Sequence, residues 1–411
     1  MPPTEFFFDR SVVLCGPELQ PFACRSFHCR EGKIESIQRI KPIQHLEYPG
    51  PIIIPGLINS HTHMGDSFLA DGATSMTLEE GFFRPHGYKY RQLDAADPEV
   101  QYSAIRDSLS CMAASGTVAH IDFREQGLPG IRLLRRASSE TGIASIIMGQ
   151  IPQLPFTDAQ LIENQSPLPE KALAAFRSLL DEADGLSEST INDLTDPAWR
   201  QLLRLTESNQ RLRAIHCLEN AGYRQKSQTI SGRGDLERAL DVFQPHMVVH
   251  LTVADTREIN LLKDSGTVAV INPRANAALG LPLPPIRNLL EADVPLLLGT
   301  DNGLLNSPNL LPELDFTYRV AKSQYGNAID PSPAKILAMA TSNIRFALPH
   351  LHCGFLEEGL PATFTVIDGS APALRHSRHL LASLLCRITP AEVQATVLHG
   401  RPLHQQGPSV R

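Results

Sequence analysis

Eight short apolar runs, separated by amphipathic stretches long enough to be helices, set the strongest limit on what this chain can fold into. They lie at 52–54, 118–123, 144–148, 184–187 (a weak one), 212–216, 247–250, 268–272 and 295–301. Runs of this kind read as strands buried on both faces, the type that parallel sheets contain. The intervening helical candidates include 98–115, 130–141, 170–182, 196–209, 255–265 and 285–292. Gly116, Gly142 and Gly266 stand just past three of them, where a helix C-terminus favours glycine. Repeated strand–helix units build parallel α/β folds. Eight of them predict a (β/α)8 barrel, with its chemistry at the C-terminal ends of the strands.

The two ends of the chain have another texture. Residues 11–15, 23–28 and 33–37 read as short strands, with a glycine turn over Arg30, Glu31, Gly32 and Lys33; residues 363–368 and 393–398 read as strands near the other end. Three short strands do not bury a core unaided. The expectation is therefore a β-sandwich domain made from both termini, 1–50 and 349–411, bracketing a barrel over 51–348 that includes a helix at 332–346. A length of 411 residues suits one barrel and one small module.

A net charge of −7 gives no ground for a nucleic-acid or anionic-membrane partner. Seven scattered cysteines without a CxxC pair argue against a disulfide framework and against a thiolate zinc site. Acidic Glu5 and Asp9 flank Phe6-Phe7-Phe8, unlike a signal peptide, and no apolar run is long enough to span a membrane. A cytoplasmic protein acting on a small molecule is expected, with a homo-oligomer left open.

What stands at the strand ends is chemical. His61-Thr62-His63 follows the first run; residues two apart on a strand project from one side, so both imidazoles can face one divalent transition metal. Alone this is a weak motif. The second run ends near Asp122, Arg124 and Glu125, the fifth at His216 and Glu219, the sixth at His250, the seventh before Arg274 and Asn276, and the eighth at Asp301. Singly, His250 could be a satisfied polar residue and Asp301 a helix N-cap. Jointly they place a metal site at one barrel mouth. Arg124, Glu125, Arg274 and Asn276 are candidates for touching substrate, although Asn276 could instead hold loop backbone. The long loop over 65–93 is expected to cover the site, while each of its charges, Asp66, Arg84 and Lys89 among them, is singly expected in solvent. Cys217 reads as packing.

These motifs resemble the metal-dependent amidohydrolase superfamily. Residues Pro55 to His63 match its Pro-Gly-x-x-(Asn/Asp)-x-His-x-His element. His216-Cys217-Leu218-Glu219, His250, Pro273-Arg274-Ala275-Asn276 and Gly299-Thr300-Asp301 follow in the order of the branch holding cytosine, guanine and adenosine-type deaminases and chlorotriazine hydrolases. Gly354 to Gly359 resembles the entry to that branch's C-terminal β segment; Ala362-Thr363-Phe364 departs from its usual Ala-Asp step, which concerns only the accessory domain. The resemblance covers nearly the whole chain. It implies that His61, His63, His216 and Asp301 hold one divalent ion, Zn2+ ahead of Fe2+, with a position open for water. It further implies that Asp301 takes the proton of that water, that Glu219 shuttles protons, and that His250 orients the water rather than binding the metal. Two-metal relatives use a strand-four lysine; none stands near 185–189, the nearest upstream being Lys171 in a helix, so one metal is expected. Glu219 favours deamination of an amino-substituted N-heterocycle (nucleobase, nucleoside or related) with release of ammonia. The other reading is hydrolysis of a non-peptide amide, a cyclic imide or a C–Cl bond at the same site. A catalytically dead scaffold would show a missing ligand, and every ligand position is filled.

Overall fold

Two sheets form in the computed structural model, which describes residues 5–46 and 49–406; residues 1–4 and 407–411 of the expected terminal segments lie outside it. In chain order the strands are β1 (Phe6–Cys15), β2 (Gln20–Arg30), β3 (Lys33–Pro42), β4 (Pro51–Pro55), β5 (Leu57–His63), β6 (Thr117–Arg124), β7 (Ala144–Gly149) and β8 (Gly185–Leu186). They continue with β9 (Leu212–Cys217), β10 (Met247–His250), β11 (Val268–Ile271), β12 (Leu296–Leu298), β13 (Asp301–Asn302), β14 (Phe364–Asp368), β15 (Val393–Leu398) and β16 (Arg401–Gln405).

Strands β5 to β12 are parallel neighbours in sequence order, and β13 pairs with β5 through Asp301–Thr62 and Asn302–His63, closing the ring. The eighth strand is thus split into β12 and β13. The weak fourth run survives as the two residues of β8. Alternation divides the buried residues of each strand. Ile121, Phe123, Ala214, Val249, Val270 and Leu297 fill the barrel interior, while Ile215, Val248, Ala269 and Leu298 pack outward against the helices. Burial on both faces explains why these segments read as unbroken apolar runs. Gly142 and Gly266 end their helices as expected, at φ of 80° and 69°, the left-handed conformation glycine adopts without a Cβ penalty, whereas the helix expected over 332–346 is broken into Pro333–Met339 and Ile344–Ala347.

One assignment needs correction. Ile52-Ile53-Ile54 is not the first barrel strand. It lies in β4, which pairs with β1 and β14 in the terminal sheet, and the barrel begins at Leu57. Ile53 faces the core of the terminal domain while Ile52 and Ile54 face the barrel side. An apolar run records burial on two faces, not which sheet the strand joins.

The termini do pair, in the order β16-β15-β14-β4-β1-β2-β3. Hydrogen bonding runs through one continuous sheet rather than two separate layers. Strands β14 and β2 are three positions apart, about 14 Å in a flat sheet, yet the Phe27 and Phe364 rings are 5.3 Å apart. The sheet therefore curls around an aromatic core. It docks on the barrel where Thr365 and Thr396 donate to the carbonyls of Gly116 and Ala113, at 2.8 and 2.7 Å. No helix among the described residues is long and apolar enough to cross a membrane.

Candidate metal centre and active site

Two local distortions aim side chains into the barrel mouth. Between Asn59 and Thr62, β5 spends three steps where β6 spends two, from His120 to Asp122. That extra residue reverses the alternation, so Ile58 and His61 both face inward; bulges commonly re-aim a side chain beside a site. His61 consequently packs edge-on against the interior Phe123, with ring centroids 4.2 Å apart. On β10, Met247 and Val249 face inward, and strict alternation would send His250 outward. Instead His250 adopts φ 81°, and Asp301 adopts φ 65°. Such conformations are costly for a non-glycine residue and concentrate at functional sites.

The result is one convergent cluster. Asp301 Oδ1 lies 3.3 Å from His61 Nε2 and 3.7 Å from His63 Nε2. Ring nitrogens of His61, His216 and His250 fall within 4.8 Å of one another, as do ligand atoms of His61, His63 and Asp301. All four imidazoles and Asp301 are buried. Burial lowers His61 to about 3 and takes His216 well below the usual histidine range, so both rings are neutral and offer lone pairs. Burial alone would raise Asp301, but the adjoining His61 holds it below the ordinary carboxylate range.

The cluster is incomplete without a cation. Neither nitrogen of His61 makes a well-formed hydrogen bond, Nε2 only facing Asp301 Oδ1 at 3.3 Å, and Nδ1 of His216 has no partner, although all are buried. A buried polar atom left this way costs about 1–3 kcal/mol. Around these rings the carboxylates of Asp66, Asp122, Glu125, Glu219 and Asp301 outnumber the cations of Lys89 and Arg124. The neutral His61 and His216 rings beside surplus carboxylates are donors of the kind a divalent transition metal takes, and the residues present fit such an ion.

The supports explain several residues of the motifs. Asn59 Nδ2 donates to Thr300 Oγ1 (2.7 Å) and Thr300 N donates to Asn59 Oδ1 (3.1 Å), stitching strand one to strand eight. Gly299 has no room for a side chain: a Cβ there would lie 2.6 Å from His61 Cβ and 2.5 Å from Asn272 Oδ1. Behind His63, Nδ1 meets Glu125 Oε1 at 2.7 Å. Behind His250, Nδ1 meets Asn276 Nδ2 at 3.2 Å.

None of the four expected substrate contacts lines the cavity above the cluster. Arg124 follows the inward Phe123 on β6 and so faces away; its Nε donates to the Gly130 carbonyl at 2.9 Å. Glu125 and Asn276 sit behind imidazoles, as above. Arg274 is tied to Glu313, whose Oε1 accepts from the Arg274 backbone N–H at 2.9 Å. Arg124 and Glu125 stand at the end of β6 as expected, whereas Arg274 and Asn276 lie in the helix Pro273–Ala278 that follows β11; the direction of the side chains was not legible.

The cavity is instead walled by Glu219, Tyr223 and Ser189 of the barrel and by Phe82, Lys89 and Tyr90 of the long loop. Glu219 Oε1 lies 3.8 Å from His250 Nε2. The loop carries two short helices, Leu78–Phe82 and Tyr88–Ala95. Between them Arg84 reaches down to Glu188 Oε2 and the Ile151 carbonyl, both at 2.6 Å. Phe83 stacks on Tyr223, and Tyr90 Oη is 3.1 Å from Ser189 Oγ. Arg84 and Lys89, expected in solvent, have side chains only 4% and 3% exposed. No periodicity marks them, because the loop has none.

The model of the amidohydrolase family matches residues 52–403. A Methanothermobacter thermautotrophicus protein provisionally named an aminohydrolase is 31% identical over 88% of this chain and 90% of its own length. A 5-methylthioadenosine/S-adenosylhomocysteine deaminase of Caldicellulosiruptor saccharolyticus is 23% identical over 87% of this chain and 81% of its own. Among solved structures, an adenosine deaminase from Xanthomonas campestris with bound zinc superposes with a TM-score of 0.80 at 19% identity, covering 95% of this chain and 92% of that one. The chain belongs to the amidohydrolase family.

Proposed function

We propose that this chain is a single-metal aminohydrolase that deaminates an amino-substituted N-heterocycle. The observation that carries the reading is Glu219: a half-buried carboxyl in the cavity wall, its side chain 12% exposed, beside His250 and facing the same space as Asp301. His61, His63, His216 and Asp301 would hold the ion, for which Zn2+ is the natural candidate given the neighbour crystallised with it. When bound, such an ion lowers the pKa of a coordinated water towards ~7.

The chain's own groups supply the rest. The Asp301 carboxylate accepts the proton that the attacking water gives up. Burial raises the Glu219 carboxyl, which suits a group that must hand a proton to a ring nitrogen and then to the departing amine. His250, with Nδ1 engaged by Asn276, turns Nε2 to the cavity and orients the water. The stacked Phe83 and Tyr223 and the nearby Phe82 close the site with flat apolar surface, suited to a planar heterocycle. The deaminase names of relatives such as that of Caldicellulosiruptor saccharolyticus support the same reaction. We place the activity in the cytoplasm, on a small molecule without a nucleic-acid partner.

The test is ammonia release from zinc-loaded protein offered adenosine-type nucleosides, nucleobases, pterins and aminotriazines. Ammonia from at least one is expected. Cleavage of amides, imides or C–Cl bonds with no ammonia from any amino-heterocycle would replace this reading.

A further inference from the structure

On the His63 side, a chain of buried charges runs out of the barrel into the loop that covers it. Lys89 Nζ lies 2.5 Å from the Glu125 oxygen that engages His63 Nδ1, and 3.3 Å from Asp66 Oδ2. Asp66 in turn accepts from Asn302 Nδ2 at 2.6 Å and from Leu304 N at 3.0 Å. Glu125 follows strand β6, and Asn302 lies in β13 next to Asp301; Asp66 stands at the start of the covering loop, just past β5, and Lys89 comes from the loop's helix Tyr88–Ala95. An ammonium this buried persists only where paired, and two carboxylates pair it. A substrate anion approaching Lys89 would meet those carboxylates at the same place, so anion recognition is not what this arrangement favours.

We propose that Lys89 is a positioning residue of the metal centre, coupling order in the covering loop to metal affinity. Lys89 holds Glu125; Glu125 holds the Nδ1 proton of His63; His63 Nε2 is thereby aimed at the point shared with Asp301. Outer partners of this kind orient ligands and typically account for ~10–100-fold in metal affinity. Coupling is reciprocal: if the ordered loop tightens metal binding, the metal tightens the loop by the same factor. The far end of the loop, pinned by Arg84 on Glu188, touches no ligand and supplies a control.

The inference rests on the metal reading above, and the experiment separates the two. Zinc affinity is measured by chelator competition, and hydrogen exchange over residues 78–95 is followed with and without zinc. Expected are slower loop exchange in the zinc-loaded protein, ~10–100-fold weaker zinc binding in Lys89→Met with loss of that zinc-dependent protection, and partial recovery in Lys89→Arg. Arg84→Met should loosen the loop while weakening zinc less than Lys89→Met. Failure of the unaltered protein to bind zinc would remove the metal reading. Zinc bound as tightly by Lys89→Met, or lost equally in Arg84→Met, removes the role of Lys89 alone. Should Lys89→Met not fold, equal loop exchange in the two states of the unaltered protein overturns the coupling.

Discussion

Two of the buried polar clusters in this molecule differ in one respect. Arg238, in the helix Asp235–Val242, is fully buried. Its Nε donates to Asp196 Oδ1 at 2.6 Å, Nη1 to Asn192 Oδ1 at 3.3 Å, and Nη2 to Asn164 Oδ1 and the Leu194 carbonyl at 3.1 and 2.9 Å. Every nitrogen of the guanidinium has a partner within the chain. His61 is equally buried, and neither of its nitrogens makes a well-formed hydrogen bond within the chain. Burial therefore does not separate the clusters; satisfaction does. A cluster that serves the fold closes its own hydrogen bonds, whereas one that serves a ligand leaves atoms open and tolerates backbone strain, as His250 and Asp301 do. Stability given up at the barrel mouth is what a binding site requires.

The sharpest way to break this contrast is to remove a ligand. His216→Ala and Asp301→Ala should each drop zinc from near one per chain to near none, by metal analysis of the purified protein. Turnover should fall by more than about 10⁴-fold, beyond what general acid–base help alone supplies. Zinc retained in either variant would mean the open atoms are not its ligands. Next in size is Glu219→Gln, which should keep the zinc and lower kcat by ~10²–10⁴-fold. Unchanged turnover in that variant would remove the proton shuttle and leave only the metal site standing.

Much of this contrast was legible in the chain, for identifiable reasons. His61, His216, His250 and Asp301 could be placed at one mouth because apolar runs have sharp ends and a parallel barrel gathers those ends on one side. Ile52-Ile53-Ile54 misled because burial on two faces is common to both sheets. Arg124 and Glu125 misled because one residue's step along a strand reverses direction, and the bulge in β5 changed that count on the neighbouring strand. Lys89 was invisible as a support. Its partners Asp66 and Glu125 stand far from it in sequence or on a different element, so only the folded loop brings them together. Nor does any spacing relate Arg238 to Asn164, 74 residues away.

The satisfied cluster should respond in the opposite sense. Arg238→Met leaves Asp196 without its main partner, and breaking a buried pair costs about 3–5 kcal/mol; the unfolding midpoint should fall while zinc content stays. The smallest effect is its pH dependence. Burial would raise the Asp196 carboxyl, but Arg238, then Asn164 and Arg233, carry it below its usual value in the folded state. The unfolded chain, with aspartate near ~3.9, takes up a proton first as the pH falls. The pair's contribution is therefore complete above about pH 4 and fades as the pH drops through the lower folded value. In Arg238→Met the chief lowering influence is gone, so the gap in stability between the two proteins should narrow below about pH 4. Urea midpoints of both, taken on metal-free protein so that loss of zinc at acid pH does not intrude, would reveal it. A gap that stays constant from about pH 6 to about pH 3 would mean that Asp196 and Arg238 are neighbours rather than a functioning pair, and would remove the satisfied half of the contrast.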